Sequence, residues 1–158
     1  MLKKMNISFG VATLLAAFCA GELFAATVTT ADGVVTIDVP SGENYKLSDS
    51  DVSALTSCDL QKTGVGRLII STDLKTEGWD GEIVVKAGYL RTTLNGALGG
   101  VTKGTVIESG ATLEIEVDKA GNSTNVHDKE PYTIGGAGVG GCGAVYAINK
   151  GQIGRAHV

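Results

Sequence analysis

Beyond residue 25 the chain is a series of short runs rich in Val, Ile, Leu and Thr, each closed by Gly, Asn or Asp. Runs of this length with β-branched side chains and turn-forming borders predict strands rather than helices. The clearest are 34–39, 67–71, 82–86, 89–93, 105–107, 113–117 and 145–148. In the sixth, Leu113, Ile115 and Val117 alternate with Glu114 and Glu116, giving one apolar face and one that carries two carboxylates. Only 47–55 has the pattern of a helical turn, and it is expected to cap or link the strands.

The first 25 residues follow another pattern. Lys3 and Lys4 precede an almost wholly apolar or small stretch at 7–20, and Leu23-Phe24-Ala25 ends in a small residue. This is the build of a secretory signal peptide cut after Ala25. The apolar run is shorter than the roughly 20 residues a membrane-spanning helix needs, and Gly10, Gly21 and Glu22 interrupt or bound it. Phe18, where lipidation of Cys19 would need a small residue, speaks against a lipoprotein cut. Secretion or display at the cell surface is therefore expected, and 158 − 25 = 133 residues are left, enough for one domain with a core.

A period runs through the strands. Gly66-Arg67-Leu68, Gly88-Tyr89-Leu90 and Gly110-Ala111-Thr112-Leu113 each open a strand, with glycine spacings 88 − 66 = 22 and 110 − 88 = 22. A second series, Gly81-Glu82-Ile83 and Gly104-Thr105-Val106, repeats at 104 − 81 = 23. At about 3.3 Å per residue such a repeat holds two or three short strands, and one repeat alone cannot bury its apolar side chains. Stacked coils solve both problems: each strand pairs with its equivalent above and below, Leu, Ile and Val stack inward, and threonines and carboxylates point outward. Glycine is expected at the corners, where positive φ disfavours other residues. The fold class expected is all-β, a right-handed parallel β-helix: a cap with the first strands at 26–63, repeats at 64–151 and an unrelated tail at 152–158.

The residues Trp79-Asp80-Gly81-Glu82-Ile83-Val84-Val85, Gly88-Tyr89-Leu90, Leu98-Gly99-Gly100 and Val106-Ile107-Glu108-Ser109-Gly110-Ala111-Thr112-Leu113 carry a resemblance. Their order is similar to that of the autotransporter-associated β-strand repeat of bacterial passenger domains, over roughly 64–117. The Gly-rich stretch from Glu130 to Val145 resembles a rung that follows such repeats. The resemblance implies a stalk-like β-helix outside the cell, with membrane contact only through a C-terminal barrel. No series of ten-residue alternating strands in this chain reads as that barrel. The ending Ile153-Gly154-Arg155-Ala156-His157-Val158 breaks the strand pattern and, with Gln152, resembles the translation of a short-read sequencing adapter. The natural protein is therefore expected to continue past Gly151, and Arg155 and His157 are given no functional weight.

Charge and composition narrow the function. Dropping Lys3, Lys4 and Glu22 takes the formal charge from −4 to −5, basic residues are scattered and aromatics are few. That excludes a nucleic-acid binder. Cys58 and Cys142 would lie several coils apart, so they read as two buried, unpaired residues rather than as a disulfide. Gly136, Gly138 and Gly141 satisfy G-x-G-x-x-G, but a strand-like run follows where a dinucleotide site needs a helix, so a glycine-lined turn is expected. His127, Asp128 and Glu130 could ligate a metal, yet they sit in or beside the polar stretch 118–129, which reads as a solvated loop. Asp49, Asp51 and Asp59, or the pair Glu114 and Glu116, are the candidates for the paired acids of glycoside chemistry. No aromatic platform for sugars accompanies them, since Trp79 is the only tryptophan, and carboxylates on the outside of a solenoid serve solubility. No catalytic, cofactor or metal residue is assigned.

Two functions stay open. The first, favoured, is a non-enzymatic structural or adhesive passenger segment whose partner, a host or neighbouring cell surface or a glycan, is met through regions beyond this chain. The alternative is a fragment of a secreted polysaccharide-acting β-helix enzyme. Self-association through an exposed strand edge is also expected, because a stack needs a cap at each end.

Overall fold

The structure, a computed structural model, describes residues 25–117 and 129–149. The elements are β1 (Thr27–Ala31), β2 (Val34–Asp38), β3 (Asn44–Lys46), α1 (Asp49–Leu55), β4 (Asp59–Thr63), β5 (Arg67–Ile70), β6 (Ile83–Val85) and β7 (Gly88–Thr92). They continue as β8 (Thr105–Ile107), β9 (Ala111–Val117), β10 (Tyr132–Ile134), a 3-10 turn (Val139–Gly141) and β11 (Val145–Asn149). One sheet runs β1-β2-β4-β6-β8-β10 and the other β11-β9-β7-β5-β3. From β2 onward every strand pair is parallel. The chain alternates between the two sheets, and so winds a parallel β-solenoid.

The register places like on like. Leu68 pairs with Leu90 and Leu90 with Leu113, while Tyr45 and Val145 extend that row. In the facing sheet the inward row is Val35, Leu60, Ile83, Thr105 and Tyr132. Leu60, Leu68, Ile83, Leu90 and Leu113 are fully buried, each stabilising the stack by roughly 1.5–3 kcal/mol. The glycines mark the corners, but only Gly66 and Gly88 follow the register; Ala111, not Gly110, stands opposite Gly88, and Gly81 and Gly104 are also out of step. Strand-to-strand steps are 89 − 67 = 22 and 112 − 89 = 23 in one sheet, 83 − 60 = 23 and 105 − 83 = 22 in the other. A one-residue difference is taken up in the turn, and the side-chain alternation survives.

The corners need glycine for two reasons, not one. Gly88 has φ +68°, and a Cβ there would lie 2.5 Å from the carbonyl oxygen of Gly66 in the preceding coil. Gly66 and Gly81, by contrast, are not in the left-handed region. A Cβ at either would collide with the coil beneath it or with Trp79, so close approach excludes larger residues there.

The parallel ladder already begins at Val34, ahead of the glycine series. Two features precede or enlarge the first coil. β1 pairs antiparallel with β2 across the two-residue turn Asp32-Gly33, both at positive φ, which is the geometry Asp-Gly favours in a tight hairpin. α1 links β3 to β4 and lengthens that step to 59 − 34 = 25. Ser48 caps the helix and Asp51 returns the bond to the Ser48 amide at 2.8 Å, a capping box, while Leu55 buries its side chain in the core. No helix among the described residues is long and apolar enough to cross a membrane. The expected signal peptide at 1–25, apart from Ala25, and the expected tail at 152–158 lie outside the described residues.

Candidate functional site

Two polar constructions on the solenoid surface could carry function. The first is a cleft of about 320 Å³ at one corner, lined among others by Cys58, Asp59, Trp79, Asp80 and Lys103. Three coils build it. Cys58 closes α1 through its amide to the Leu55 carbonyl (2.9 Å), and Asp59 opens β4 with its amide on the Gly33 carbonyl (2.9 Å). Trp79, one coil on, donates its indole N–H to the Cys58 carbonyl at 2.9 Å. Lys103, a further coil on, reaches Asp59 Oδ1 at 2.8 Å, which also accepts the Glu82 amide at 2.8 Å.

Electrostatics there favour charge. The hydrogen bond from Lys103 holds the Asp59 carboxyl below its ordinary value against the opposing effect of burial, and Asp59 in turn raises the Lys103 amine. Asp80, whose Oδ1 accepts the Thr102 amide at 3.1 Å, is also lowered, first by the Thr102 side chain and then by that amide bond. These directions fix all three groups in their ionised forms, opposite to the tuning of a proton-transferring group at neutral pH. The cleft can orient a small polar ligand but is not poised for acid–base work.

The second construction lies on the outer face of the other sheet. Arg67 reaches past β7 to Glu114 on β9, Nε to Oε2 at 2.6 Å and Nη2 to Oε1 at 3.0 Å. Its guanidinium lies 4.8 Å from the Tyr89 ring centroid and gives Nη1 to Asn44 Oδ1 at 2.9 Å. Arg91, the register partner of Glu114, adds Nε to Oε2 at 2.9 Å. Neighbouring strands lie about 4.8 Å apart, so the Arg67–Glu114 pair spans two spacings and pins three coils. The bond to Glu114 raises the Arg67 guanidinium further.

Glu114 therefore corrects an expectation. It is buried, clamped between two arginines, and not a solvated carboxylate. Replacing Glu114 with Ala is expected to cost about 1–2 kcal/mol in urea unfolding, below the 3–5 kcal/mol of a fully buried pair because both arginines, 26% exposed, can turn to water. A cost under about 0.3 kcal/mol would show the clamp to be ornamental.

The other candidates are dispersed. Asp49 sits in the first turn of α1, whereas Asp51 is buried, accepting the Tyr45 hydroxyl (2.8 Å) besides its capping bonds, and Asp59 belongs to the cleft. The structure thus does not gather the three aspartates at one site. Gly136, Gly138 and Gly141 all have positive φ in a turn that leads through the short 3-10 segment into β11, the glycine-lined turn expected. His127 and Asp128 lie outside the described residues. Glu130 is buried, accepting the Thr105 hydroxyl of the preceding coil at 2.9 Å. Among the described residues no group of three His, Cys, Asp or Glu side chains could hold a metal ion. Cys58 and Cys142 are both free thiols, yet Cys58 is only half-buried and Cys142 is exposed, because each sits in a turn beside a strand rather than on an inward face.

Arg67, Arg91 and Lys103 escaped sequence reasoning. Their signal is positional, since 114 − 91 = 23 is one coil step and Arg67 lies two coils from Glu114. In comparisons with known proteins, no family model, no characterised protein and no solved structure matches this chain.

Proposed function

We propose that this chain is the exported N-terminal part of a surface or secreted solenoid protein, a structural passenger segment that holds adhesive regions away from the cell. The observation that carries the reading is the uninterrupted parallel ladder of β2 to β11, a form that builds length by repetition and suits a stalk. The leader-like residues 1–25 and the resemblance of 64–117 to passenger repeats support export and display. The polysaccharide-enzyme alternative has less support, since Glu114 is occupied by two arginines and Asp59 by Lys103.

The test is to express the whole chain in a bacterial host and sequence the N-terminus of the product. The expected result is a chain starting at Ala26 and recovered outside the cytoplasm. An uncleaved cytoplasmic product would overturn export. Cleavage of an acidic polysaccharide by the purified protein would overturn the structural role.

A further inference from the structure

The last coil is fastened by an unusual group. Glu130 immediately precedes Pro131, whose carbonyl accepts the Thr105 amide at 2.9 Å and so starts the pairing of β10 with β8. The Glu130 side chain is 8% exposed and accepts its hydrogen bond from Thr105, itself 1% exposed. Its partner is thus a neutral hydroxyl in the solenoid seam, not a cation. The titratable and charged groups around it, among the described residues, do not help an anion. Asp80, from the loop before β6, repels it, and the Tyr132 phenol is neutral. Lys103 is committed to Asp59, and Lys129 is exposed.

A carboxyl placed so favours the protonated form, the Thr105 hydroxyl offsetting only part of the cost of burying the anion. We propose that Glu130 is a pH-responsive latch, holding β10 and the chain that follows it against β8 and β9 in acid and loosening them as the carboxyl ionises. Burial, with Asp80 adding to it, raises the Glu130 carboxyl above the ordinary 4.5. A carboxyl raised in the folded state contributes stability that is complete below its unfolded value and is lost as pH rises through its folded value. The loosening is local, because Glu130 fastens only the final coil, to Thr105 of the coil before it, and it uncovers the edges of β8 and β9.

Hydrogen exchange followed by mass spectrometry on the full chain tests this, with rates corrected for intrinsic pH dependence. Between about pH 4.5 and pH 7.5, protection of the β10 amides is expected to fall about tenfold or more, while that of β5 to β7 stays constant. Glu130→Gln, neutral at every pH and still an acceptor for Thr105, should abolish that fall. Thr105→Val should enlarge it, because the hydroxyl that supports the anion is gone. Flat β10 protection in the native chain, or an equal slope in Glu130→Gln, overturns the latch. Should Glu130→Gln fail to fold, an unchanged or smaller slope in Thr105→Val overturns it by itself.

Discussion

Replacing Trp79 with Ala is expected to remove about 3–5 kcal/mol of stability, the largest loss for any single side chain here, read as a fall in the urea midpoint at constant slope. The indole is buried and touches three coils. Its N–H holds the Cys58 carbonyl of the coil before, Gly81 leaves room for its ring in its own coil, and Gly99 lies against it from the coil after. A Cβ at Gly99, where φ is +83°, would stand 2.5 Å from Trp79 Cε3. Gly99→Ala should therefore destabilise both by strain and by collision. In the Trp79→Ala background the collision with the ring is gone, though the carbonyl oxygen of residue 79 stays 2.9 Å from that Cβ, so the pair should be non-additive by about 1–2 kcal/mol. Strict additivity would mean that the ring and the glycine do not hold each other.

Stability should also rise, not fall, as the pH moves from 8 to about 9.5, by up to about 2 kcal/mol, and Lys62 should be the cause. Lys62 points inward in a row otherwise made of Ile37, Val85 and Ile107 and is fully buried. Its amine donates to the carbonyls of Thr63 (2.6 Å), Gly64 (2.7 Å) and Ala87 (3.1 Å), oxygens that the corner turns inward. Burial pulls its pKa from 10.5 to about 8, with Asp38 opposing. Between those values the unfolded chain keeps the proton and the folded chain releases it, so stability climbs across the window. Above about pH 10 the phenols of Tyr45 and Tyr132, both raised by burial, work the other way.

Lys62→Met separates the contributions. It relieves a buried charge worth about 3 kcal/mol but strips donors from the Gly64 and Ala87 carbonyls, at about 1–3 kcal/mol each. Near pH 7 these nearly cancel, and the variant should lie within about 2 kcal/mol of the native chain. Its stability should then stay level to about pH 9.5 while the native chain gains. An identical rise in both proteins would place the proton elsewhere.

Much of the stack was legible before any coordinates, and the reason is visible in particular strands. In β5, β7 and β9, alternating apolar residues begin just after a corner glycine, so both register and inward face follow from spacing. β4 was missed because its inward residues are Leu60 and Lys62, and a lysine cannot be read as core without knowing which carbonyls await it. β1 was missed although Asp32-Gly33 announces a hairpin, since Thr-rich β1 is exposed at every position and has no apolar period. The cleft and the arginine clamp were illegible for another reason: each joins residues of three coils, and only the register brings them together. The burial of Glu130 depends on where the chain returns after residue 117, which local pattern does not encode.

The hairpin that precedes the first coil gives the rod a direction. Because β1 runs against β2, it ends the series of co-oriented strands in that sheet, and no further coil can join there in the same sense. Gain or loss of a whole turn, in steps of 22 or 23 residues, must then happen behind a finished tip. Length could be adjusted in this way over many generations while the hairpin-bearing end stayed the same.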